Sequence, residues 1–159
     1  MANAVWTNHI ERLSTGLFKA RTLSEIPEWL EKNTFMAGKP YSFSGHRYQL
    51  DILRDPSANI VVTKCSQIGA SEMMARMILA RAAIIQPYNV IYCMPSGKAS
   101  QDFAKGRVSP VIAESPALSD MLDTNNDSVT SKRLGYSLIT FKGAFKDSQA
   151  ISINSDAVV

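Results

Sequence analysis

The stretch Asn59–Glu72, NIVVTKCSQIGASE, constrains the fold of this chain more than any other. Its run Ile60-Val61-Val62-Thr63 is β-branched throughout and follows the breaker Asp55-Pro56-Ser57. An apolar run without alternation predicts a strand buried on both faces, as in a parallel sheet. Ser71 to Ala80 is rich in strong helix formers and free of Gly and Pro, which predicts a helix. Between them lie Lys64-Cys65-Ser66-Gln67-Ile68-Gly69-Ala70. A strand, a tight glycine-containing loop and a helix opening on a hydroxyl residue together point to a phosphate site. The first N–H groups of such a helix are unpaired, and its positive dipole end faces the anion.

The common phosphate-loop pattern is G-x-x-x-x-G-K-[ST]. This loop keeps Gly69 and Ser71, but has Lys64 in place of the first Gly and Ala70 in place of the Lys. The chemistry survives the exchange, because a four-carbon stem reaching in from the loop entrance at Lys64 supplies the ammonium that the β- and γ-phosphates require. Ser71 is the candidate hydroxyl ligand of Mg2+, and the N–H groups of Gln67 to Ser71 are the candidate cradle for phosphate oxygens. On spacing alone, an ordinary strand-to-helix turn capped by Ser71 is the alternative.

A chain of 159 residues accommodates one domain with a real core. Its composition, 45% hydrophobic and 19% charged, is that of a globular protein. The net charge of +3 is too small to argue nucleic-acid binding by itself. Cys65 and Cys93 have no CxxC spacing and no partner histidines, so they read as buried small hydrophobes in a reducing compartment. No apolar run approaches about 18 residues and the N-terminus lacks a signal-peptide profile, which makes a soluble cytosolic protein the expectation.

Ahead of the loop, Ile10, Leu13, Leu17 and Phe18 predict a helix over 8–19. Ser24 opens a second, with Trp29 and Leu30 on its face, and Phe35–Gly45 reads as a loop or linker. His46–Arg54 is a compact amphipathic helix stopped by Asp55-Pro56. It carries Tyr48 and Gln49. A Gln amide donates and accepts at once and so suits an adenine edge, with an ordinary surface Gln as the alternative. His46 reads as a surface or capping residue.

Beyond the loop helix, Asn89–Met94 predicts a second strand, Pro95-Ser96-Gly97 a turn, and Lys98–Val108 a helix with Ala99, Phe103, Ala104 and Val108 inward. Two successive strand–helix units imply a parallel α/β sheet with right-handed crossovers and a ligand site outside the carboxyl ends of its strands. Ser96, Lys98, Lys105 and Arg107 stand near that end as candidates for contact with a nucleic-acid backbone, a solvated helix face being the alternative. Ser115-Pro116 starts a short helix. Val129–Arg133 and Tyr136–Phe141 predict a hairpin around Leu134-Gly135 with Lys132, Arg133 and Lys142 on a basic rim. Asp156-Ala157-Val158-Val159 opens as another buried strand, and a free carboxylate inside an apolar strand is costly. The sequence therefore reads as a fragment or a prematurely ended product.

In this order, from about Ile26 to Val159, the segments resemble the N-terminal ATPase region of the large terminase subunit of tailed bacteriophages, the lambda-like branch especially. IPEWLEKN is similar to the family's lead-in, and HRYQLDIL to its adenine-recognising segment, which places Gln49 there. KCSQIGASE resembles the deviant Walker A of this branch, whose lysine stands at the loop's start, a role that falls on Lys64. MPSGKASQDFAKGRVSPVIAESPAL resembles the strand–helix segment that follows, including its acidic-aromatic pair at Asp102-Phe103.

The resemblance implies an α/β fold: a P-loop NTPase-type parallel sheet flanked by helices, incomplete at its C-terminus. Residues 1–45 would form an N-terminal helical lead-in and linker, and 46–159 a partial ATPase domain. It implies ATP and Mg2+ as cofactors, with Lys64 catalytic and Ser71 on the metal. Gln49, Lys64, Cys65, Ser66, Gln67, Ile68, Gly69, Ala70, Ser71 and Glu72 would bind ATP. The implied reaction is in-line attack of water on the γ-phosphate, driving viral DNA into a procapsid. Implied partners are double-stranded viral DNA, a small terminase subunit, the portal of the procapsid and further copies of the motor in a ring, with no membrane. The setting would be the host cytoplasm, with a phage or prophage gene.

Two departures qualify the implication. Ala70 stands where many members of the branch have Lys, so Lys64 carries the phosphate work alone. The family's Walker B acidic pair, which follows the strand opening at Asp156, is not among the 159 residues. With it go the Mg2+-coordinating Asp, the catalytic Glu, the coupling motif and the nuclease. Weak nucleotide binding and negligible hydrolysis are the expectation for this chain. A helicase-type or restriction-type translocase shares the same series of segments, and a non-catalytic prophage remnant that binds partner subunits or DNA is the other alternative.

Overall fold

Helix α3 (Ala70–Ile84) is apolar on nearly every side, so it needs cover on more than one face, and the rest of the chain supplies it from two directions. The computed structural model describes residues 23–144 and 154–159; the helix predicted at 8–19 lies outside them. Helix α1 spans 23–33. A two-residue hairpin, β1 (Phe35–Met36) and β2 (Lys39–Pro40), follows it, and α2 (Tyr48–Arg54) precedes the loop. Beyond α3 come β3 (Val90–Met94), α4 (Gly97–Phe103), a π-helical turn (Ala104–Val108), α5 (Ser109–Glu114) and α6 (Pro116–Ser119). The strands β4 (Ser131–Leu134), β5 (Ser137–Gly143) and β6 (Ala157–Val158) complete the fold.

The main sheet has the order β4-β5-β3-β6. β5 and β6 both run parallel to β3, one on each edge, and β4 pairs antiparallel with β5. This is an α/β architecture with a mixed, mostly parallel sheet flanked by helices, compatible with the P-loop NTPase-type fold. β5 alternates strictly between buried and half-buried residues, sending Ser137, Ile139, Phe141 and Gly143 inward. The hairpin turn falls at Gly135-Tyr136, one residue later than the sequence predicts. The strand predicted at Asp156–Val159 forms as β6: Val159 donates its N–H to the Ile91 carbonyl at 2.9 Å and accepts from the Cys93 N–H at 2.7 Å. It is paired, yet Val158 is 66% exposed, so it is less buried than predicted.

Two clusters of buried side chains meet at α3. On its sheet side, Ala75, Ile78, Leu79 and Ala82 pack with Val90, Ile139 and Phe141 and with Phe103 and Ala104. Tyr92 stacks on Phe103 with ring centroids 4.2 Å apart, tying β3 to α4. A Cβ on Gly143 would collide with the backbone nitrogen of Gly97, so the end of β5 abuts the start of α4 directly. On the other side, Met73, Met77 and Ala80 meet Ile26 and Leu30 of α1, Leu53 of α2, and Tyr41 and Phe43. Each fully buried aliphatic side chain contributes about 1.5–3 kcal/mol, so neither face of α3 is dispensable.

Several sequence expectations are corrected. Ile60-Val61-Val62-Thr63 is not a buried strand: it belongs to no sheet, and Val61 is 93% exposed. The reason lies in the ladder. β3 spends one edge on β5 and the other on β6, and Ile60–Thr63 makes no ladder to the outer edge of β6, a strand of only two residues. The segment instead stands across a cleft of about 750 Å3 whose walls include Ile60, Val62, Met77, Arg81, Ala157 and Val158. Cys65 is exposed rather than buried because it lies on this same unpaired stretch, and Cys93 is half-buried; both are free thiols. Lys132 is not on an exposed rim, since the strand alternation turns it inward, where it pairs with Asp127. The helix predicted over 98–108 widens into the π-helical turn at Ala104, although Phe103, Ala104 and Val108 are buried as predicted. Pro110 follows in the first turn of α5 and has no N–H for an α-helical bond back to Gly106.

Candidate functional site: the loop before α3

The chain enters α3 through two residues in the left-handed region, Gln67 at φ 60° and Gly69 at φ 79°. Gly69 is the N-cap, no side chain caps the helix, and the first N-cap bond runs from Met73 N–H to the Gly69 carbonyl at 3.0 Å. The N–H groups of Ala70, Ser71 and Glu72 precede that bond and have no intrahelical acceptor. Ser71 therefore sits in the first turn with its side chain exposed, not at the cap that the simple-turn alternative assigns to it. Lys64, Cys65, Ser66, Gln67 and Gly69 are exposed, Ile68 and Glu72 are half-buried and Ala70 is buried. The Lys64 ammonium rests 3.3 Å from the carbonyl of Cys65, at the loop's own entrance. A positive helix end, N–H donors without intrahelical acceptors, a hydroxyl and an exposed ammonium form a donor set suited to a polyphosphate and its divalent cation.

Behind the loop lies a buried polar network. Gln49 is 2% exposed, far from the surface glutamine that its helix pattern allows. Its Oε1 accepts from the Tyr41 hydroxyl at 2.9 Å, and its Nε2 donates to the Tyr48 hydroxyl at 3.1 Å. The Tyr48 hydroxyl in turn donates to the Ile68 carbonyl of the loop. A Cβ on Gly69 would stand 3.3 Å from Gln49 Nε2, so the amide also lies against the loop's turning point. Both ends of its amide are thus engaged by the two tyrosines.

Arg76 completes the network from the side of the Tyr41 ring face. It is 1% exposed, with its guanidinium carbon 4.1 Å from the Tyr41 ring centroid. Its Nη2 donates to the Phe35 carbonyl at 3.0 Å and pairs with Glu72 Oε1 at 3.0 Å, while Nε and Nη1 have no hydrogen-bond partner among the described residues. Burial lowers the pKa of Arg76, and Glu72 and Tyr41 oppose that shift. Burial pushes the Tyr41 hydroxyl up to about 12, against the lowering effect of Arg76, so its proton stays in place to be donated to Gln49. Glu72 also meets Arg107 Nη1 at 3.5 Å, which links α3 to the π-helical turn.

The remaining candidates fall into two groups. Arg107 is 56% exposed and reaches the loop helix through Glu72. Ser96 and Lys98 are exposed just beyond the carboxyl end of β3, and Lys105 is exposed on the π-helical turn. The Ser96 hydroxyl is engaged as the N-cap of α4, accepting from the Ala99 N–H at 3.1 Å. Sequence reasoning missed Tyr41 and Arg76. The spacing Glu72–Arg76 is that of an i,i+4 ion pair, and the apolar residues all round α3 leave an arginine there little water to reach; together these were the available signal.

Residues 45–155 match the family model described as phage terminase large subunit gpA, ATPase domain. No curated protein and no solved structure gives a significant match to the chain.

Proposed function

The chain belongs to the phage terminase large-subunit ATPase-domain family, and on that premise we propose that its loop Lys64–Ser71 binds the phosphates of ATP in a DNA-packaging motor. The observation that carries this is the exposed N-terminus of a 15-residue helix, entered through left-handed Gly69, with a lysine at the loop's start. In this reading the N–H groups from Gln67 to Glu72 face phosphate oxygens, and Ser71 offers its hydroxyl to Mg2+. Lys64 swings from the Cys65 carbonyl to neutralise charge that develops on the transferring phosphoryl group. Glu72 contributes its N–H, because its carboxylate is already held by Arg76 and Arg107. Gln49 is the proposed residue for the adenine edge, since its amide both donates and accepts. Ser96, Lys98, Lys105 and Arg107 are the proposed contacts to double-stranded viral DNA, and the small terminase subunit, the portal and further motor copies are the proposed partners.

For these 159 residues the proposal is weak nucleotide binding with little hydrolysis. Calorimetric titration of Mg·ATP into the chain should give measurable but weak binding that Lys64→Ala abolishes. Its steady-state phosphate release should fall far below that of a complete packaging motor. Turnover matching such a motor, or binding indifferent to Lys64, would overturn the reading.

A further inference from the structure

We infer that Tyr48 is a positioning residue for the phosphate loop, holding it by the Ile68 carbonyl at the end of a buried strut made of Tyr41, Gln49 and Tyr48. The inference deepens the nucleotide-loop reading above and rests on it for its functional meaning. No hydrogen-bonded strand fixes the loop on its N-terminal side, because Ile60–Thr63 lies outside the sheet. Among the described residues, the Tyr48 hydroxyl is the side chain from outside the loop that bonds its backbone between Ser66 and Gly69.

The strut has a direction. Each tyrosine has one hydroxyl proton: Tyr41 gives its own to Gln49 Oε1, and Tyr48 gives its own to Ile68. The amide of Gln49 is the one side chain between them that accepts at one end and donates at the other, which leaves the Tyr48 proton free for the loop. The far end is fixed in turn, since the Tyr41 ring lies beneath Arg76, itself held by Phe35 and Glu72. Glu72 is in the first turn of α3, so the strut returns to the helix that the loop enters. A carboxylate in place of Gln49 would still accept from Tyr41. It would also take the Tyr48 proton and release the Ile68 carbonyl.

The test is amide hydrogen exchange on the full 159-residue chain, read by mass spectrometry, beside Mg·ATP titration of the same samples. Tyr48→Phe should speed exchange of amides in 66–71 by about tenfold and weaken Mg·ATP binding by a similar factor, the scale of one hydrogen bond. Exchange in 75–82 should not move. Gln49→Glu should reproduce the loop effect although every hydroxyl remains, and Tyr136→Phe, at an 80% exposed tyrosine, should have none. Unchanged exchange over 66–71 in Tyr48→Phe overturns the inference. A rise spread equally over 75–82 overturns it too, because that is general loosening rather than positioning. If the wild-type chain binds no nucleotide, the reading of the loop fails, and the exchange data still decide whether Tyr48 holds it.

Discussion

The two sides of α3 are built by different means. On the sheet side, β3 is laddered on both edges, and Ile139, Leu134 and Val90 are almost wholly excluded from water. On the loop side, ten residues from Ile60 to Gly69 have no ladder, and nine of them are exposed. Rigidity in the first region comes from many paired backbone groups over a close-packed core. In the second it comes from a few specific contacts: the left-handed entry at Gly69 and the hydroxyl of Tyr48. Stability and site geometry are therefore carried by separate sets of residues, and substitutions should separate them.

The largest effect belongs to the sheet side. Ile139→Ala removes a wholly buried side chain at the centre of β5 and should cost about 2–5 kcal/mol in urea unfolding. If the chain tolerated it with under about 1 kcal/mol, the sheet side would not be the store of stability described here.

Gly69→Ala comes next and tests the junction of the two regions. At φ 79° a Cβ strains the backbone, and it would also press on Gln49 Nε2 at 3.3 Å. The expected cost is about 1–2 kcal/mol of stability, with a loss of Mg·ATP affinity that Ile139→Ala does not share once corrected for unfolded protein. Equal loss of affinity in both variants would erase the distinction.

The same contrast explains what could be read from the sequence. The helix at Ser71–Ala80, the strand at Asn89–Met94, the hairpin near Gly135 and the strand opening at Asp156 are legible because period and turn chemistry are local signals. Ile60–Thr63 has an equally strong local signal, yet it forms no strand, because a strand also needs a partner and this segment is not laddered to the short edge strand β6 across the cleft. Local propensity describes a residue's preference and says nothing about the vacancy beside it. At the site, Lys64, Gly69 and Ser71 stand together because they are neighbours in sequence. The burial of Gln49 against Tyr41 and Tyr48 is a tertiary fact, as is the burial of Arg76. Lys132 fails the same way: a basic residue on a strand reads as rim until Asp127 is seen beside it.

The smallest effect is the sharpest check on the unpaired segment. Val61 sits in the middle of the most strand-like run in the sequence, and in a buried parallel strand Val61→Ser would remove a packed side chain and leave a hydroxyl without a partner, at a cost of several kcal/mol. Here Val61 is 93% exposed, so the same change should alter stability by no more than about 0.5 kcal/mol. It should also leave exchange over 66–71 unchanged, because the loop is held from α2 and α3 rather than through this run. A large loss on Val61→Ser would mean that Ile60–Thr63 is buried after all, and the contrast between a laddered sheet and a tethered loop would collapse with it.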